Sequence, residues 1–291
     1  MRLPKFEYFA PKSLEAALSL LSEQKEGAHV LAGGTDIIVK MNHGRLKPKA
    51  LIALEAIMGL KGIRFHAQGG LTIGATARLA EVAFHSDIVT HYPAVAHAAQ
   101  VMANVGVRNM GTVAGNLCNA APSADTAPPL IAMNAEVTLA SLKGERRLPL
   151  DQFFEGPGLT AMEPGEIMTS ISVPFPPSQS GGSYKRISAR CGVDIAAVGV
   201  GVMVILDGKT CREARIVLGA VAPVPMRAAK AESLMQGQEW TQKLIHEVAD
   251  QAAQEAKPIS DVRASAEYRR KMVAVLTRRA LEEAHERASK Q

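Results

Sequence analysis

Two glycine-rich turns set the strongest constraint on how this chain can fold. The first, Ala32-Gly33-Gly34-Thr35-Asp36, closes the short apolar run His29-Val30-Leu31. The second is Arg108-Asn109-Met110-Gly111-Thr112-Val113-Ala114-Gly115-Asn116-Leu117. Glycine lets a backbone approach a ligand closely, and its N–H groups can point at phosphate oxygens. Thr35 and Thr112 add hydroxyl groups. Two such loops in separate parts of the chain, with few charges near them, suggest a dinucleotide held between two subdomains. Backbone amides can bind a pyrophosphate without a lysine-rich pocket.

The elements around these turns follow from periodicity. Ser13 is placed to cap a helix over about residues 14 to 26, with Leu14, Ala17, Leu18 and Leu21 on one face and Gly27 after its end. Ile37-Ile38-Val39 starts either a helix or a short strand. Residues 50 to 54 and 71 to 75 read as strands, and 79 to 86 and 94 to 103 as helices. Residues 106 to 130 carry Gly106, Asn109, Gly111, Gly115, Asn116, Asn119, Pro122, Pro128 and Pro129, the composition of a long functional loop. A strand resumes at 135 to 140. Pro174, Pro176, Pro177, Gly181 and Gly182 make the sharpest break. Beyond it, two strands at 195 to 206 and 211 to 221 flank a turn at Asp207-Gly208-Lys209, and helices are expected at 226 to 236, 241 to 256 and 265 to 288. The expected units are 1–58, 59–177 and 178–291.

Composition removes several classes. The 291 residues are 47% hydrophobic and 21% charged, which is globular rather than disordered. No run of about 18 apolar residues predicts a membrane span, and the N-terminus has no apolar signal region, so a cytoplasmic protein is expected. Cys118, Cys191 and Cys211 are too few for an all-cysteine zinc or iron–sulfur site, which needs four thiolates; no metal site is expected here. HExxH, GxSxG, GxxxxGK[ST] and GxGxxG are all missing. The net charge of +5 is mild. The basic C-terminal stretch is interleaved with Glu267, Glu282, Glu283 and Glu286, which reads as a solvated helix face and not a nucleic-acid site.

The ordered motifs carry a resemblance over essentially the whole chain. They are Phe6-Glu7-Tyr8-Phe9-Ala10-Pro11 with Ser13-Leu14-Glu15-Ala16-Ala17, Ala32-Gly33-Gly34-Thr35-Asp36, Thr72-Ile73-Gly74-Ala75 and Gly115-Asn116-Leu117-Cys118-Asn119. Pro122-Ser123-Ala124-Asp125-Thr126-Ala127-Pro128-Pro129-Leu130 and Asp194-Ile195-Ala196 follow. In these the chain resembles the FAD-binding medium subunit of the molybdenum hydroxylases, the family of aerobic carbon monoxide dehydrogenase and the xanthine dehydrogenases.

The resemblance implies an α+β chain: a two-subdomain FAD-binding fold of the vanillyl-alcohol-oxidase (PCMH) type, then a C-terminal antiparallel sheet with helices. It implies that Leu31, Ala32, Gly33, Gly34, Thr35, Asp36 and Ile37 hold the FAD pyrophosphate, and that Gly111, Thr112, Ala114, Gly115 and Asn116 hold it from the second subdomain. Ser123 and Asp125 join the cofactor contacts, Asp125 near the sugar and phosphate region. Met102 and Met168 face the cofactor, and Lys185 is the cation of a third contact region. Ala114 departs from the glycine of many relatives.

By the same resemblance the chain is an electron-transfer subunit with no catalytic residue for substrate chemistry. A small iron–sulfur subunit and a large molybdenum-cofactor subunit are its expected partners, in a dimer of heterotrimers. Electrons pass from the iron–sulfur partner through FAD to NAD, a quinone or oxygen. Two alternatives stay open: a self-sufficient flavin reductase or oxidase of the same fold, and an assembly subunit without FAD.

Overall fold

The computed structural model describes residues 3–24, 27–190 and 193–290. The expected last turn of the first helix, Lys25-Glu26, and Cys191 lie outside the described residues.

The first unit is a three-stranded parallel sheet. Strand β1 (Glu7–Phe9) leads into helix α1 (Leu14–Gln24), which buries Ala17 and Leu18. Strand β2 (Ala28–Leu31) ends at the first glycine turn, and α2 (Ile37–Asn42) starts straight after it. Strand β3 (Ala50–Ala53) lies between β1 and β2, with every residue buried. A parallel strand covered on both faces is continuously apolar, and Ala-Leu-Ile-Ala meets that demand. The open choice at Ile37-Ile38-Val39 resolves to helix.

The second unit is a five-stranded antiparallel sheet that opens with β4 (Ile63–His66) and β5 (Gly70–Gly74). Six short helices follow: α3 (Leu79–Phe84), α4 (Ser86–His91), α5 (Pro93–Val101), α6 (Val105–Met110), α7 (Val113–Cys118) and α8 (Ala127–Ala132). Then come β6 (Glu136–Ser141), β7 (Gly144–Pro149), the small β8 (Phe154–Gly156) and β9 (Leu159–Thr160) hairpin, and β10 (Ile167–Val173). The strand order β4-β5-β10-β6-β7 puts the last strand in the centre.

Residues 106 to 130 are therefore not the long loop expected. The glycine, asparagine and proline residues there punctuate helices of one or two turns. Asn104 caps α6 by accepting the Val107 N–H, Thr112 caps α7 by accepting the Gly115 N–H, and Pro128 and Pro129 sit in the first turn of α8. Each is a residue type favoured at a helix start, and the helices are too short to show a 3.6-residue period.

The third unit is antiparallel: β11 (Ser180–Ile187), β12 (Val198–Asp207), β13 (Thr210–Gly219) and β14 (Met226–Arg227) lie in that order. Helix α9 (Ala229–Met235) precedes β15 (Gln238–Glu239), which pairs with β13; α10 (Gln242–Glu255) and α11 (Ala266–Ala288) complete the chain. Apolar residues of β12, β13 and α9 to α11 make one core, and a second core runs through the first two units and takes in Met203 and Val217. Helix α8 joins the units by packing Pro128 onto the glycines of β12 and β13.

Candidate flavin site

The two glycine turns meet in space. A Cβ on Gly33 would collide with the Met110 carbonyl oxygen and lie 2.7 Å from Gly111 Cα. A Cβ on Gly111 would come within 3.2 Å of Thr35 Oγ1. Gly34 has φ of +76°, a left-handed conformation that favours glycine. Glycine at 33 thus serves the contact between two loops as much as the approach of a ligand.

Between these loops opens a cleft of about 480 Å³. Ala32, Gly33, Gly34, Thr35, Asp36 and Ile37 line one side; Gly111, Thr112, Ala114, Gly115 and Asn116 line the other. Met102 and Met168 lie in its wall beside Leu54, Leu79 and Ile167. Among the described residues, no protein acceptor takes the backbone N–H groups of Gly33, Gly34, Thr35 or Asp36. The first N–H groups of α7 are free of intrahelical partners by helix geometry. The Asn116 side chain is fixed by accepting the Thr126 hydroxyl at 2.7 Å.

Leu31, Ser123, Asp125 and Lys185 do not line the cleft, although the resemblance implied cofactor contacts for them. Leu31 ends β2 and backs the turn, 3.3 Å from where a Gly34 Cβ would stand. Ser123 is half-buried in the segment between α7 and α8. Asp125 is buried and fully engaged: it accepts the Tyr184 hydroxyl at 2.7 Å and Arg186 Nη1 at 3.1 Å. Burial pushes its carboxyl upward, while Arg186 and the Tyr184 hydrogen bond pull it down. Arg186 also donates to the carbonyls of Val101 at 3.0 Å and Asp194 at 2.6 Å. Asp125 is therefore a joint between the second and third units. Lys185 pairs with Glu283 of α11 at 2.9 Å.

The cleft also has lining residues that were not among the expected cofactor contacts: His29, Lys40, Cys118, Asn119 and Met162. Lys40 lies one helical turn past Asp36, a relation visible only once residues 37 to 39 are helical. Lys40 Nζ donates to Asn119 Oδ1 at 2.6 Å, and Asn119 Nδ2 donates to Asp36 Oδ1 at 3.0 Å. Partial burial pushes Asp36 up and His29 down, with Lys40 lowering both. Burial also holds the Cys118 thiol up at about 12, so it stays protonated beside Met162, with its sulfur 3.8 Å away. Among the described residues no group of three or more His, Cys, Asp or Glu is placed to hold a metal ion.

These residues fit a flavin dinucleotide. Unpaired amides at a glycine turn suit a diphosphate, and the apolar wall with its methionines suits a large flat ring. Comparison with known proteins agrees. The model of the FAD binding domain in molybdopterin dehydrogenase matches residues 4–176, and that of the CO dehydrogenase flavoprotein C-terminal domain matches residues 183–284. The chain is 32% identical to the carbon monoxide dehydrogenase medium chain of Hydrogenophaga pseudoflava, over 98% of this chain and 99% of the other.

The chain belongs to the FAD-binding medium subunits of the xanthine dehydrogenase and CO dehydrogenase family.

Similarity extends to the xanthine dehydrogenase FAD-binding subunit of Escherichia coli O157:H7, 30% identical over 95% of each chain. A solved structure of carbon monoxide dehydrogenase from Hydrogenophaga pseudoflava, lacking the Mo-pyranopterin moiety of its molybdenum cofactor, superimposes with a TM-score of 0.94 at 33% identity, covering 98% of both chains. Quinoline 2-oxidoreductase from Pseudomonas putida 86 does so with a TM-score of 0.92 at 26% identity, covering 99% of both. As a medium subunit of this family, the chain is part of an oxidoreductase with FAD as its cofactor. No helix among the described residues is long and apolar enough to cross a membrane.

Proposed function

We propose that this medium subunit is the electron-transfer module of a heteromeric molybdenum hydroxylase. Its partners are a small iron–sulfur chain and a large molybdenum-cofactor chain, assembled as a dimer of heterotrimers. Electrons enter from the iron–sulfur partner and leave to an external acceptor, NAD, a quinone or oxygen. FAD bound in the cleft supplies the redox chemistry.

The chain's own residues do the holding. The amides of Gly33 to Asp36 meet a diphosphate, Thr112 and Asn116 shape the opposing loop, and the wall of Leu54, Leu79, Met102, Ile167 and Met168 keeps water from the ring. One observation carries the proposal: a cleft suited to a dinucleotide, between two loops, in a chain that matches medium chains along nearly its full length. Relatives named for carbon monoxide, xanthine and quinoline are all similar to this chain, which favours a substrate pocket on another chain.

The test is the absorption spectrum of the chain purified from its native source, before and after denaturation, with identification of what co-purifies. FAD released on denaturation, with one iron–sulfur chain and one large molybdenum chain, supports the reading. FAD on a chain that purifies alone and turns over a substrate favours the self-sufficient enzyme. A colourless chain that refuses added FAD removes both.

A further inference from the structure

The cleft has a feature that its glycine loops do not account for. Asp36 and Lys40 both stand on the α2 side, at the cap and one turn into the helix, and both are exposed. Asn119 belongs to the opposite loop, at the C-terminal cap of α7. Its amide lies between them: the oxygen accepts Lys40 Nζ at 2.6 Å, and the nitrogen donates to Asp36 Oδ1 at 3.0 Å. One side chain thus uses both its donor and its acceptor on a cation and an anion that face it from the other subdomain. The charges fix the orientation of the amide, since an ammonium only donates and a carboxylate only accepts. Hydrogen bonds to charged groups are stronger than neutral ones. All three residues line the cleft, and the bridge crosses from one pyrophosphate-type loop to the other at the solvent-facing edge.

We infer that Asp36, Asn119 and Lys40 form a latch that must open for FAD to enter or leave, with Asn119 as its keystone. The inference rests on the reading of this cleft as the FAD site. A ligand held between two lobes leaves by their separation, and the bridge opposes that separation directly. It opposes entry by the same means, so the latch governs exchange in both directions.

Asn119 is well placed for a test. Its backbone has φ −68° and ψ −19°, ordinary helical values that alanine adopts without strain, and its side chain is half-buried. Flavin fluorescence on dilution gives the FAD dissociation rate, and mixing the stripped protein with FAD gives the association rate. In Asn119→Ala, dissociation is expected to rise at least about tenfold, the size set by loss of even one of its two charge-assisted hydrogen bonds, and association is expected to rise as well. A substitution that merely loosens the fold speeds dissociation without speeding association. Lys40→Met is expected to raise dissociation to a similar degree, and the double variant no further than the larger single effect, because both act through one bridge. Dissociation within about twofold of the parent in Asn119→Ala, or strictly additive effects in the double variant, overturns the latch. A parent chain that binds no FAD removes the latch together with the site reading. A parent that binds FAD while the variants behave like it removes the latch alone.

Discussion

Gly33 answers to two demands, the neighbouring Met110–Gly111 backbone and the open amides of its turn. Gly33→Asp violates both. Overpacking against backbone costs about 1–3 kcal/mol, and the added carboxylate puts a negative charge in the turn whose amides are open to a diphosphate. FAD affinity is expected to fall at least about tenfold, measured by titration of the stripped protein; a variant that purifies with full FAD contradicts the site. Asp261 makes a second prediction at this scale. Its carboxylate accepts the Arg263 N–H at 2.9 Å, and also Arg269 Nη2 at 2.7 Å and the Ala264 N–H. These hold its pKa down from 3.8 to about 2. A depressed folded-state value gives stability that is present above about pH 3.8 and lost as pH falls through about 2. Urea melts at pH 5 and near pH 2 are therefore expected to differ more in the parent than in Asp261→Asn. Equal pH dependence in the two proteins disproves the assignment.

Among the elements, α8 and the sheet it touches show how glycine can serve packing alone. A Cβ on Gly201 of β12 would stand 2.5 Å from the Pro128 carbonyl carbon, and one on Gly219 of β13 would stand 2.8 Å from Pro128 Cγ. The Pro128 ring and the Pro128–Pro129 peptide of α8 fit a trough that only glycines leave open. Gly201→Ala is expected to destabilise the chain by about 1–3 kcal/mol in urea unfolding, and an unchanged midpoint means that α8 does not seat there. Strands β3, β5, β6, β12 and β13 and the long C-terminal helices were legible in the sequence, whereas β10, the centre of the second sheet, and β11, whose Gly181 and Gly182 read as a break, were not. β12 and β13 are apolar runs around Asp207-Gly208-Lys209, and α10 and α11 are long enough to show their period. Helices α6, α7 and α8 were not legible, because six residues hold under two turns and their caps have the composition of a loop.

Over the whole molecule, the site depends on how separate units are joined. The cleft lies between the first and second units, and the Asp125–Arg186 pair ties the second to the third beside Val101, the neighbour of cleft residue Met102. A ligand that bridges two units stabilises only the state in which both are folded. FAD at a hundredfold excess over its Kd is expected to add about 2.7 kcal/mol to the unfolding free energy. Urea melts with and without FAD measure this, and an unchanged midpoint contradicts binding to the native fold.

Local chemistry decided much from the chain alone. Glycines and hydroxyls marked both loops, apolar period marked the longer helices and several strands, and ordered motifs pointed to the family. These are short-range features, and a linear pattern records them. The partners of individual polar groups followed a different logic. Lys40 and Asp36 reach Asn119 across separations of 79 and 83 residues, and Asp125 turns from the cleft to a tyrosine and an arginine 59 and 61 residues away. A buried carboxylate takes the cation that packing brings to it, and a half-buried amide takes the charges across the cleft. Such choices are made by the juxtaposition of units, because the cost of burying a polar group falls only when a partner arrives in space.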